Sequence, residues 1–103
     1  AEMPYKYIIR YLSAAEQDLL SILDWIANDN PRRASSFVEE LDRRISKLAS
    51  HPYLGVVPRH PRLKESGYRV LIIDEYLAFY KVRGRTVQIH RVVRGSRHLD
   101  SII

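Results

Sequence analysis

The sequence contains no cysteine, so no disulfide can stabilise the fold and no thiol can act as a nucleophile or metal ligand. Its longest apolar runs, such as residues 70–73, fall far short of the roughly 20 residues that a membrane-spanning helix requires. The amino terminus lacks the apolar stretch of a signal peptide. We therefore expect a soluble, cytoplasmic protein that is stabilised by packing alone.

Common catalytic motifs are missing as well. The chain has no glycine-rich phosphate loop, no G-x-S-x-G turn and no H-E-x-x-H pair. His51 and His60 flank a proline-containing stretch, but a metal site needs more ligands than the sequence supplies nearby. We expect neither a metal nor another cofactor. Cofactor-free RNA cleavage stays open, because cationic side chains and a histidine can supply its chemistry.

What the chain does have is an ordinary globular composition and an uneven charge. With 103 residues and 46% hydrophobic side chains, residues 1–103 are expected to form one domain. The first fifty residues carry seven Lys/Arg against eight Asp/Glu, whereas residues 51–103 carry ten against four. The net charge of +5 therefore comes from the second half, which predicts a surface that attracts a polyanion or an acidic protein segment.

The first half predicts a strand followed by two helices. Residues 5–11 alternate and are rich in aromatic and β-branched side chains, which is typical of a strand. Ser13 and Glu16 have capping-box spacing and predict the start of a first helix. Asn30 and Pro31 predict the start of a second, whose apolar stripe is Ala34, Phe37, Val38, Leu41, Ile45 and Leu48. The short link between the helices predicts an antiparallel hairpin.

The second half predicts a loop and a β-meander. Residues 51–67 contain three prolines and no periodicity, which indicates a long loop. Residues 68–73, 76–82 and 86–93 then predict three strands with tight connections. Since the helical hairpin can cover only one face of the sheet, the sequence predicts a two-layer α+β domain of order β-α-α-β-β-β. Its antiparallel sheet would have an opposite face that is at least partly open.

Alternation along the strands then suggests which side chains lie on that open face. In the last strand, the more apolar set is Val87, Ile89, Arg91 and Val93, and we expect it to face the helices. His90 and Arg94 are then expected on the open face, with Arg69 and Lys81 as further candidates from neighbouring strands. Arg91 falls in the apolar set, which predicts that it lies at the sheet edge or pairs with an acid. We take Lys81, His90, Arg91 and Arg94 as candidate nucleic-acid or target-binding residues.

The order of elements and three short stretches resemble the RelE/ParE superfamily of type II toxins, a group that includes plasmid-stabilisation toxins. The stretches are residues 66–69 (SGYR), 79–82 (FYKV) and 92–97 (VVRGSR). The resemblance covers nearly the whole chain, and its specificity lies in the order and spacing of these stretches. It implies a toxin neutralised by a co-expressed antitoxin. RelE-like members cleave mRNA in the ribosomal A site, and ParE-like members inhibit DNA gyrase.

Carried over residue by residue, the RelE-like catalytic set is only partly present. Arg69 lies on the strand where RelE-like enzymes present catalytic lysines, but Leu77 follows Tyr76 where they carry an essential arginine. Arg97, or less favourably Ser96, matches their second arginine. The tyrosine that follows in RelE is missing, and His98 would substitute for it as in YoeB-like members. The resemblance thus implies Arg69, Arg97 and His98 as the catalytic candidates.

Three functions remain open at this point. The first is a metal-independent endoribonuclease that cleaves mRNA on the ribosome. The second is a ParE-like inhibitor of DNA gyrase that works by protein binding. The third is an inactive toxin that only binds its antitoxin. In all three, the resemblance implies that operator DNA is contacted only through the antitoxin complex.

Overall fold

The computed structural model describes residues 6–95, which form a helical hairpin and a four-stranded sheet. No helix in this range is long and apolar enough to cross a membrane. A 3-10 turn, Lys47–Ala49, directly follows the second helix. The other elements are strand β1 (Ile8–Tyr11), helices α1 (Ser13–Asp29), α2 (Pro31–Ser46) and α3 (Pro61–Glu65), and strands β2 (Arg69–Ile73), β3 (Tyr76–Arg83) and β4 (Thr86–Arg94).

The helical hairpin forms as predicted, and its link is the single residue Asn30. The Asn30 side-chain oxygen accepts hydrogen bonds from the backbone N–H groups of Arg32 and Arg33 at 3.2 and 3.3 Å. Pro31 occupies the first position of α2, where its missing N–H costs nothing. The capping box predicted for α1 is wrong. Leu12 precedes that helix, and no side chain caps it.

The predicted α+β architecture is confirmed, with one refinement of the sheet. The strand order is β1-β4-β3-β2. The β2–β3 and β3–β4 pairs are antiparallel, as the short turns predicted, whereas β1 lies parallel to β4 and makes the sheet mixed. The helical hairpin, and not a tight turn, follows β1 in the chain. The first strand can therefore lie beside β4 and run in the same direction.

Each face of the sheet buries its own apolar cluster. The helical face holds the larger one, in which Phe37, Leu41 and Ile45 of α2 pack against the sheet with side chains such as Tyr80 and Ile89. The opposite face holds a small cluster of Leu63, Tyr68, Val70 and Phe79. Leu63 belongs to α3, which lies inside the stretch predicted to be loop, so that prediction is wrong for residues 61–65. The second face is therefore covered at one end by α3.

One irregularity in β4 decides where its side chains point. Phe79 of β3 pairs with Arg91, and the next residue, Tyr80, pairs with Ile89, so His90 is an extra residue in the ladder. Such a bulge reverses the alternation beyond it. After the bulge Val92 faces the helices and Val93 packs against the small cluster on the other face. The prediction that Val93 faces the helices is wrong for this reason.

Candidate functional site

Arg69, the candidate that was matched to the catalytic lysines, does not lie on the open face. It alternates with Val70, which belongs to the small apolar cluster on the face opposite the helices, so the Arg69 side chain leaves β2 on the helical side. Its Nη1 atom donates hydrogen bonds to the backbone oxygens of Tyr53 and Gly55 at 3.1 and 2.8 Å. The guanidinium also lies 5.0 Å from the centre of the Tyr53 ring. Arg69 thus fastens the preceding loop to the sheet.

Arg91 and Arg94 are also engaged in contacts away from the open face. Arg91 binds the carboxylate of Asp18 on α1 through Nε at 2.7 Å and Nη2 at 2.9 Å, at the edge of β4. This agrees with the prediction that it pairs with an acid. Arg94 forms an ion pair of 3.0 Å with Glu75, and its guanidinium lies 5.5 Å from the centre of the Trp25 ring on α1. The expectation that Arg94 lies on the open face is wrong, because the bulge at His90 turns it to the helical side.

Lys81 and His90 do meet on the open face, where they form a cluster with Tyr68, Arg83 and Gln88. We call these five residues the open-face cluster. Lys81 and Gln88 are paired across β3 and β4. The Lys81 ammonium lies 4.4 Å from the centre of the Tyr68 ring, and the Tyr68 hydroxyl is 3.2 Å from His90 Nδ1. The Tyr68 and His90 rings meet edge to face with centres 5.1 Å apart.

The surroundings of His90 favour the neutral form of its imidazole. Burial lowers the pKa of His90 below its usual value, and the positive charges of Lys81 and Arg83 lower it further. Burial raises the pKa of Tyr68, which Arg83 partly offsets. The other imidazole nitrogen, Nε2, lies 3.4 Å from Gln88 Oε1, which can only accept a hydrogen bond. A neutral imidazole therefore donates through Nε2 and accepts from the Tyr68 hydroxyl through Nδ1.

This arrangement is suited to binding an anionic group. Neither Lys81 nor Arg83 has an ion-pair partner within residues 6–95, so both charges are available to a ligand. His90 has both nitrogens engaged and offers no free lone pair as a proton acceptor. In the same range, no three acidic, histidine or cysteine side chains are grouped to hold a metal ion. Arg97 and His98, the other two catalytic candidates, lie outside the described residues.

Lys81 and His90 were predicted from the sequence to lie on the open face, whereas Tyr68, Arg83 and Gln88 were not predicted as site residues. Gln88 was placed in the same alternating set as His90, but no role was given to it. Arg83 lies two residues after Lys81, so simple alternation along β3 would have found it. Tyr68 had no such signal, because its position depends on how α3 packs against the sheet.

Comparison with solved structures agrees with this architecture. The chromosomal ParDE toxin–antitoxin system of P. aeruginosa contains a chain that superposes with a TM-score of 0.73 at 22% identity, covering 87% of this chain and 97% of the other. The toxin–antitoxin complex RelBE2 of Mycobacterium tuberculosis gives a TM-score of 0.62 at 22% identity, covering 87% and 99%. At this identity, the two comparisons show a shared fold.

Sequence comparison goes further than the fold. No protein of curated function matches the chain. The family model for the ParE toxin of the type II toxin–antitoxin system parDE matches residues 9–99, which is most of the sequence. The predicted resemblance to the RelE/ParE superfamily is thereby confirmed. This chain belongs to the ParE toxin family of type II toxin–antitoxin systems.

Proposed function

We propose that this toxin arrests growth by binding DNA gyrase through protein contacts, the ParE-like alternative, and does not cleave mRNA. The observation that carries the proposal is the position of Arg69, the one catalytic candidate that lies within the described residues. Arg69 is bound to two loop carbonyls on the helical side, so it lies apart from Lys81 and His90 on the open face. Phosphoryl-transfer chemistry needs its cations and proton carriers within reach of one phosphate.

The open-face cluster is the surface that we assign to the target. Lys81 and Arg83 present two charges that have no ion-pair partner among residues 6–95, beside the aromatic ring of Tyr68. Such a combination of cationic and aromatic groups is common in binding hot spots. An acidic patch on the target would complement it, and steering by opposite charge would speed association. The proposal places this activity in the cytoplasm, without a cofactor. Operator DNA would be contacted only through the antitoxin complex.

A supercoiling assay with purified gyrase tests the proposal. Stoichiometric wild-type toxin should inhibit supercoiling, and the double variant K81E/R83E should lose most of that inhibition because its charges repel an acidic target. Arg59→Glu, an exposed charge reversal in the loop before α3, is the matched control and should inhibit like the wild type. Gyrase that keeps full activity at stoichiometric wild-type toxin would rule the proposal out.

Ribosome-dependent mRNA cleavage is kept as the second candidate for one specific reason. The open-face cluster gathers Lys81, Arg83 and a neutral His90 on the exposed half of the sheet, which is where an RNA phosphate could bind. Toeprinting on translating ribosomes with purified toxin separates the two candidates. New 3′ ends at the A site would support cleavage, and their absence together with gyrase inhibition would exclude it. Normal growth on expression without antitoxin would instead indicate an inactive toxin.

A further inference from the structure

Trp25, the single tryptophan of the chain, lies on the surface of α1. Its side chain is 60% exposed, although tryptophan is on average one of the more buried residues. A cavity of about 280 Å³ opens beside it, close to the lower size limit of small-molecule sites in proteins. We call it the Trp25 cavity, and its lining includes Trp25, Arg33, Phe37, Asp74, Tyr76 and Arg94.

The surface of the Trp25 cavity is largely aromatic. Phe37 of α2 and Tyr76 of β3 are buried at its base, and their rings meet edge to face with centres 5.0 Å apart. Trp25 stands at the solvent side, with the Arg94 guanidinium 5.5 Å from its ring centre, and Glu75 holds that guanidinium at 3.0 Å. Because most of Trp25 is exposed, a flat aromatic ring that enters the cavity can stack on the indole.

Two opposite charges line the same cavity without a partner. The side chains of Arg33, near the start of α2, and Asp74, in the turn between β2 and β3, make no hydrogen bond or ion pair within residues 6–95. They do not pair with each other either. The cavity therefore presents an aromatic surface, a carboxylate and a guanidinium, each available to a ligand.

These three groups specify the chemistry of a ligand. It needs a flat aromatic ring for Trp25, an anionic group for Arg33, and hydrogen-bond donors for the Asp74 carboxylate, which only accepts. Guanine has two adjacent N–H donors on its Watson–Crick edge, whereas adenine has one donor and one acceptor there. A guanine nucleotide therefore meets all three requirements, since its phosphate supplies the anionic group.

We propose that the Trp25 cavity binds a guanine mononucleotide. The base stacks on Trp25 and donates its two Watson–Crick N–H groups to Asp74, and the phosphate binds the Arg33 guanidinium. Phe37 and Tyr76 belong to the core on the helical side of the sheet, so this site is separate from the open-face cluster. The proposal therefore adds a ligand to the toxin and does not depend on gyrase being the target.

Fluorescence titration of the full toxin tests the base contact, because Trp25 is the only tryptophan and reports on the cavity directly. Guanosine 5′-monophosphate (GMP) should quench Trp25 to saturation and bind about tenfold or more tightly than the adenine analogue, AMP. Asp74→Asn should weaken GMP by a similar factor and abolish the preference for guanine. Asparagine tolerates the φ of 54° at this position, so the variant should keep the fold. Asp24→Asn, which removes an exposed carboxylate of α1 outside the cavity lining, is the matched control and should bind GMP like wild type.

The phosphate contact is tested separately from the base contact. Arg33→Gln should weaken GMP about fivefold or more and leave binding of guanosine, which has no phosphate, unchanged. The neighbouring Arg32 does not line the cavity, so Arg32→Gln is the matched control and should bind both ligands like wild type. Inorganic phosphate alone should not displace GMP at comparable concentration, because it cannot stack.

Calorimetry with Trp25→Ala gives a readout that needs no fluorescence. GMP binding should be lost, and circular dichroism should show folded protein because the side chain is exposed. Absence of saturable GMP binding to the wild type at millimolar concentration would overturn the proposal. So would equal affinity for GMP and AMP, or Asp74→Asn and Trp25→Ala variants that bind GMP like the wild type. These titrations contain no gyrase, so their failure is distinct from failure of the target assignment.

Discussion

The Asp18 carboxylate on α1 binds both the side chain of Arg91 and the backbone of Val92 on β4. Its carboxylate accepts two hydrogen bonds from the Arg91 guanidinium, and Oδ2 also accepts the backbone N–H of Val92 at 3.0 Å. The Asp18 side chain is 16% exposed and that of Arg91 is 34% exposed, so water competes only partly. The hydrogen bonds to Asp18 also raise the pKa of Arg91. The pair ties the first helix to the last strand just beyond the end of β1.

The first prediction concerns this connection. Asp18→Ala should lower the free energy of unfolding by about 1–3 kcal/mol, because the Arg91 guanidinium and the Val92 N–H both lose their hydrogen-bond acceptor. Urea denaturation measures the loss, and a double-mutant cycle with Arg91→Ala isolates the pair. Arg43→Ala, which removes an exposed ion pair with Glu40 on α2, is the control and should change stability far less. Equal losses for both variants would contradict the structural role.

The second prediction concerns Arg69, which the structure makes a loop anchor. Arg69→Ala should lower the free energy of unfolding by about 1–3 kcal/mol, because the carbonyl oxygens of Tyr53 and Gly55 lose their donor. Limited proteolysis should show faster cleavage within residues 53–57. A variant with unchanged stability and protease resistance that had lost its toxicity would instead point to a direct role in activity.

The third prediction concerns Gly55, which lies in the same loop. A Cβ atom on Gly55 would lie 2.7 Å from the Tyr80 hydroxyl and 2.8 Å from the Val70 carbonyl oxygen. The Tyr80 hydroxyl already accepts the Gly55 N–H at 2.8 Å, so the two cannot separate freely. Gly55→Ala should destabilise the protein by about 1–3 kcal/mol in thermal or urea unfolding. At Gly95 the nearest atom would be 3.4 Å away, so Gly95→Ala should cost much less.

The fourth prediction is a pH dependence that arises from His90. Its pKa in the folded protein lies below the usual 6.5, so the unfolded chain binds the proton more tightly than the folded one. The stability that neutral His90 contributes is therefore fully present above the pKa of the unfolded chain, and it is lost as the pH falls through the lower pKa of the folded protein. Urea midpoints at about pH 7.5 and about pH 5.5 should differ more for wild type than for His90→Gln. An NMR titration that placed the His90 pKa above 6.5 would contradict this.

Sequence alone determined the strands, the helical hairpin and their order, but it did not reveal the short helix α3. The Asn30-Pro31 pair marked the break between two helices, and the turns at residues 74–75 and 83–85 marked the strands of the meander. Each of these signals is local, because capping, helical periodicity and turn chemistry depend on residues a few positions apart. The resemblance to the toxin superfamily came from the order and spacing of such stretches along nearly the whole chain, and it was confirmed.

Only the tertiary structure decided which cations share a surface. The extra residue at His90 reverses the alternation of β4, so Arg94 lies beside Trp25 and not beside Lys81. Arg69 could be assigned to its loop only once residues 53–55 were known to fold back over β2. Both outcomes depend on contacts between distant parts of the chain, and a strand pattern contains no information on where its register will slip or which loop will cover its edge.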